Sequence, residues 1–140
     1  MAIQKQEFYE GAALHQLARG GTITRLRYKA PFFVFNNSLS VCLKYSTKGR
    51  SPWGFTFMPD EQMLLRQRAK RSGLVIGLIC GSDGIAAISY DSYQQIAALR
   101  ETSIHVSCYR KHGQFYSVAG PDGELSRKIA PSVWRHILGD

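Results

Sequence analysis

The alternation of apolar and polar positions is sharpest between Phe32 and Phe57. Residues 32–35 are an apolar run, and Asn36, Asn37 and Ser38 supply turn chemistry, because short polar side chains bond their own main chain. Leu39, Val41 and Leu43 then alternate with Ser40, Cys42 and Lys44, the period-two signature of a strand. A basic turn follows over Lys48, Gly49, Arg50, Ser51 and Pro52, and residues 53–57 resume an aromatic alternation. Lysine is depleted in strands and seldom buried. Lys44 at the end of a well-patterned strand therefore either faces solvent or is placed to meet an anion.

The flanking segments predict further elements. Residues 3–19 read as a helix with Glu7, Glu10, Leu14 and Leu17 on one line. Leu14, Leu17 and Ala18 form its expected buried stripe, and Gly20-Gly21 is expected to end it in a left-handed cap. Residues 22–29 read as a strand, with Ile23, Leu26 and Tyr28 opposite a basic face of Arg25, Arg27 and Lys29. Ala30-Pro31 breaks it. Pro59, Asp60 and Glu61 suit the start of a helix running to about Arg71, with Met63 and Leu64 inward and Arg66, Arg68, Lys70 and Arg71 outward. Residues 74–80 are apolar throughout, which suits a strand covered on both faces.

Beyond that run, Gly81-Ser82-Asp83-Gly84 predicts a hairpin turn into residues 85–90. Asp91 is expected to cap a short helix over 92–99. A second hairpin is read over 104–110 and 114–118, an extended run over 125–129, and a last helical turn over 132–138. The expected fold is α/β: a single domain spanning 1–140, with a mixed sheet and flanking helices. Its core is residues 3–80, with hairpins and helical turns added over 81–140.

Composition changes the picture mainly through charge. The 140 residues are 44% hydrophobic and 20% charged, with a net charge of +8. Residues 1–72 carry twelve basic and four acidic side chains, whereas residues 73–140 carry six of each. The whole excess sits in the first half. Such asymmetry favours a polyanionic partner, DNA or RNA; the plain alternative is a solvated basic surface. No run approaches a membrane span and the opening residues lack a signal-like apolar segment, so a cytoplasmic chain with no membrane partner is expected. Cys42, Cys80 and Cys108 form no CxxC pair, which argues for reduced core thiols rather than structural zinc.

Several chemistries lack their signatures. There is no Walker loop or GxGxxG for phosphate cradling, no GxSxG nucleophile elbow, and no HExxH among His15, His105, His112 and His136. His15 is expected half-buried and His112 solvated.

The series Glu10, Leu14, Leu17, Gly20-Gly21, then Phe33-Val34-Phe35-Asn36, then Val41-Cys42-Leu43-Lys44-Tyr45-Ser46 resembles the core of the PD-(D/E)xK nuclease superfamily, which includes restriction enzymes and Holliday-junction resolvases. The resemblance implies a restriction endonuclease-like core of helix, three strands, helix and strand. In that family acidic side chains hold magnesium, and a lysine helps activate water for phosphodiester hydrolysis. Lys44 occupies the motif lysine and Glu10 matches the helix glutamate. Cys42 stands at the motif glutamate, and no acid occurs among residues 33–36, the motif aspartate region. The resemblance thus implies a nuclease-like fold with a degraded acidic site.

The leading expectation is a noncatalytic nuclease-like domain that binds nucleic acid or docks on a nucleic-acid-processing partner, with no metal or cofactor. Lys44, Lys48, Arg50, Arg66 and Lys70 would contact phosphate, and Trp53, expected partly exposed at its turn, would stack on a base, as would Tyr45. One alternative is a magnesium-dependent nuclease with catalytic Lys44 and relocated acids drawn from Glu7, Glu10 or Asp60. Another is a protein-interaction subunit, accessory or immunity in kind, with a protein partner.

Overall fold

The computed structural model describes residues 2–139. A five-stranded mixed sheet forms its centre, in the order β1-β2-β3-β5-β6. The strands are β1 (Leu26–Lys29), β2 (Phe32–Phe35), β3 (Leu39–Ser46), β5 (Gly73–Cys80) and β6 (Gly84–Ser89). β1, β2 and β3 run antiparallel in sequence, as do β5 and β6, whereas β3 and β5 are parallel from Leu39 opposite Gly73 to Ser46 opposite Cys80. A parallel pair needs a crossover. Here β4 (Trp53–Phe57) and helix α2 (Pro59–Ala69) provide it.

The period-two strands feed two cores on opposite faces of this sheet. Phe32, Cys42, Ile76, Leu78 and Ile88 face one way. They meet a second sheet of order β4-β7-β8-β9, in which β7 is Ile104–Tyr109, β8 Ser117–Gly120 and β9 Gly123–Glu124. Leu65 of α2, with Tyr93 and Ile96 of α3 (Tyr90–Ile96), completes that core. Phe35, Val41, Leu43, Ile79 and Ile85 face the other way, onto Ala13 and Leu17 of α1 (Lys5–Gly20) and onto Trp134 of a 3-10 helix (Pro131–His136). Burial on both faces is why residues 74–80 read as unbroken apolar sequence. Trp134 lies across Gly77, where a Cβ would sit 2.9 Å from the indole, and it donates its ring N–H to the Ala13 carbonyl at 3.0 Å.

Several expectations need correction. The buried positions of α1 are Ala13 and Leu17, with Leu14 half-buried and Ala18 exposed. Gly21 ends the helix in extended backbone, φ −157°, not in a left-handed cap. Gly20 is required for a different reason: a Cβ there would lie 2.2 Å from the Arg135 carbonyl oxygen. All four residues of β1 are exposed, because it is an edge strand with neither face covered. In α2 the inward residues are Gln62 and Leu65, with Met63 and Leu64 exposed. Gln62 was hidden from the apolar pattern because its amide is buried by bonding. It donates to the carbonyls of Phe57 at 3.1 Å and Thr102 at 2.9 Å, and accepts the Arg100 N–H at 3.0 Å.

In the second half, Ser89 rather than Asp91 caps α3, its hydroxyl accepting the Ser92 N–H at 3.1 Å. The extended run expected over 125–129 reduces to a single bridge between Tyr116 and Ile129. The other additions keep their expected character: a hairpin of β5 and β6, antiparallel pairing of β7 with β8, and a final helical turn. His112 is exposed as expected, and so is His15. Among the described residues no helix is long and apolar enough to cross a membrane.

Candidate functional site

The pairing register itself opens a cleft. β2 starts at Phe32, which pairs with Cys42, so the edge of β3 facing β2 is unpaired from Leu43 onward. Gln6 and Glu10 of α1, Tyr28 of β1, Pro31 of the β1–β2 turn, Gly54 and Thr56 of β4 and Glu61 of α2 surround that edge. Together with Cys42 and Lys44 they enclose about 300 Å³.

Lys44 follows Cys42 on the same face of β3 and is the cleft's charged centre. Its ammonium donates to Glu61 Oε2 at 2.8 Å and lies 5.0 Å from the centre of the Phe57 ring. The strand lysine therefore does meet an anion, and the anion is internal. Glu61 uses its other oxygen, Oε1, to accept the Met58 N–H at 3.1 Å, the reciprocal bond of a helix start. Glu10 lies in the second turn of α1, and its Oε2 accepts from the Gln6 amide at 2.9 Å. Cys42 is buried beneath the cleft. Burial pushes its thiol up to about 12 against the weaker opposing field of Lys44, so it stays protonated and unreactive at neutral pH.

The cleft thus brings together Glu10, Cys42 and Lys44, three positions of the nuclease resemblance. The other acids considered for relocation lie elsewhere. Glu7 accepts the Gln4 N–H at 2.8 Å, and Asp60 accepts the Glu61 N–H at 3.0 Å. Glu61 was missed because an acid in the first turn of a helix is explained locally by the helix dipole. The clue was available: α2 begins directly after β4, so its first turn falls beside the end of β3.

Magnesium requires hard oxygen ligands in near-octahedral array. Here one carboxylate has both oxygens engaged, a second is bonded by Gln6, and the intervening thiol is neutral. Among the described residues no three His, Cys, Asp or Glu side chains gather for a metal. This donor set does not fit a resident magnesium ion.

The remaining residues expected to touch nucleic acid are dispersed. Trp53 is corrected: it is 3% exposed, and its indole donates to the Lys48 carbonyl at 2.9 Å. It packs edge-on to Tyr116, so it anchors the basic turn from inside and offers no stacking face. Tyr45 is 37% exposed, but one face is stacked on Tyr9 at 5.0 Å. The Lys48 ammonium reaches the Pro52 carbonyl at 3.1 Å, and Arg50 projects from the same turn, exposed. Arg66 is exposed on α2. Lys70, just beyond α2, lines a second cleft of about 380 Å³ with Lys29, Arg68 and Arg71.

The fold and this cleft define an α/β domain of two packed sheets with a lysine–glutamate pair at the open edge of its central strand. No known protein family, curated protein or solved structure matches the chain.

Proposed function

We propose that this chain is a noncatalytic, nuclease-like domain that binds nucleic acid through its phosphate backbone. The carrying observation is electrostatic. Residues 1–72 hold twelve basic side chains, and among the described residues Lys44 alone of these makes a salt bridge. Cations without carboxylate partners are what a polyanion neutralises, and four of them, Lys29, Arg68, Lys70 and Arg71, line one cleft.

The central sheet's chain order of helix, three antiparallel strands, a crossover through β4 and α2, and a parallel strand supports the PD-(D/E)xK likeness, as does the placement of Glu10 and Lys44 in one cleft. The internal use of Glu61 supports the noncatalytic side of the reading, because the cleft's charges already balance one another. Three free, buried cysteines accord with a reducing, cytoplasmic setting.

A second reading rests on the shared cleft of Glu10, Lys44 and Glu61: a magnesium-dependent nuclease in which substrate phosphates complete the metal's ligands. Incubation of the purified chain with plasmid DNA and magnesium separates the two. The proposal expects retarded but intact plasmid. Chelator-sensitive nicking that is lost in Lys44→Ala would establish the nuclease instead. Absence of any retardation at low salt, with a stable complex formed on a protein partner, would favour an accessory or immunity subunit.

A further inference from the structure

The hairpin turn between β1 and β2 divides two clefts. Tyr28 and Pro31 line the cleft of Lys44, whereas Lys29, Ala30 and Phe32 line the one beside the C-terminal end of α2. Tyr28 and Lys29, neighbours on β1, thus face opposite clefts, as the strand period requires. The second cleft has four cations, Lys29, Arg68, Lys70 and Arg71, and no carboxylate in its lining.

Basic residues near a helix C-terminus are favourable through the helix dipole alone, which accounts for Arg68 and its neighbours. It does not account for Lys29, which reaches the same cleft from a different element of the chain. Like charges converging from two elements repel one another unless an anion lies between them. Arg68 is also held in place: its guanidinium stacks 5.3 Å from the centre of the Phe32 ring. That contact fixes the planar donor fork and lowers the entropy lost when it grips an oxyanion.

We infer that this cleft is the principal phosphate seat of the domain, holding a backbone phosphate of a nucleic-acid strand between Lys29 and the end of α2. A strand anchored there passes over the β1–β2 turn and brings its next segment to the Lys44 cleft. The inference rests on the nucleic-acid reading above and adds to it the location. It also removes weight from the basic turn, where Lys48 is already bonded to a carbonyl.

The test is salt-titrated binding of a fluorescein-labelled DNA duplex, read by anisotropy, for three forms of the chain. Each lost phosphate contact removes roughly 0.9 from the slope of log K against log salt. The double variant Lys70→Ala/Arg71→Ala should therefore lower the slope by about two. Arg127→Ala/Lys128→Ala, which removes the same charge from exposed positions of the second half, should leave the slope unchanged. Thermal melting checks that each variant folds. If the α2 variant does not, Lys29→Ala on exposed β1 is the substitute and should lower the slope by about one. An unchanged slope in the folded cleft variants, or an equal fall in the second-half variant, overturns the phosphate seat while leaving nucleic-acid binding in place. No binding by the wild-type chain overturns both.

Discussion

Replacing Glu61 by glutamine is the most informative single change in the cleft. Glutamine keeps a side-chain oxygen for the Met58 N–H, so the helix start is retained. It removes the carboxylate that now holds the Lys44 ammonium at 2.8 Å. The two side chains are 20% and 27% exposed, so the pair is neither fully screened nor deeply desolvated. A charge-assisted hydrogen bond is worth roughly twice a neutral one. The expected loss of stability is therefore about 1 kcal/mol, or roughly 3 °C in melting temperature for a domain of this size. Binding should move in the opposite direction. Lys44 released from its carboxylate becomes available to phosphate, and the salt slope on duplex DNA should steepen by about 0.9. Thermal melting and anisotropy titrations on the same preparation measure both effects. Weaker DNA binding in Glu61→Gln, with an unaltered slope, would refute the reasoning that Glu61 masks a phosphate-binding lysine.

Three further outcomes follow from the packing. Trp53→Phe should cost about 1 kcal/mol through the lost bond to the Lys48 carbonyl and leave affinity for single strands unchanged; a clear loss of that affinity would mean that the indole reaches a base. Gln62→Met should cost roughly 2–4 kcal/mol in denaturant unfolding, since two carbonyls and an amide lose their partner in a buried setting; a loss below 1 kcal/mol would show that those groups find water. Stability should fall as pH rises from 9 toward 12, because Cys42 titrates at 9.0 unfolded and about 12 folded. The folded chain then binds more protons than the unfolded one, and this single group withdraws about 1 kcal/mol by pH 10. Equal unfolding midpoints at pH 8 and pH 10 would contradict the burial of that thiol.

Much of the fold was legible because period-two alternation and an unbroken apolar run report burial directly. Residues 39–44 and 74–80 stand where their patterns put them, on neighbouring strands of the mixed sheet. What escaped was burial carried by polar groups and exposure of apolar ones. Gln62 is buried because three backbone groups need it, and that need arises from Thr102 and Arg100, some forty residues away. Leu26 and Tyr28 are exposed because β1 is the sheet's edge, which depends on strand order rather than local sequence. Trp53 shows the same limit: a turn position suggested exposure, but the indole is drawn inward by the core between the two sheets. In the cleft, Glu10 and Lys44 had been singled out through the nuclease resemblance, whereas Glu61 and the convergence of Lys29 with the end of α2 required the crossover geometry.

The claim that matters most is that the unpaired cations of the first half serve a nucleic-acid backbone. The most direct measurement is the affinity of the wild-type chain for duplex DNA over a series of salt concentrations. Five contacts, from Lys29, Arg50, Arg68, Lys70 and Arg71, predict a slope of about −4 to −5 in log K against log salt. A slope near zero, or no binding at the lowest salt, would contradict the account.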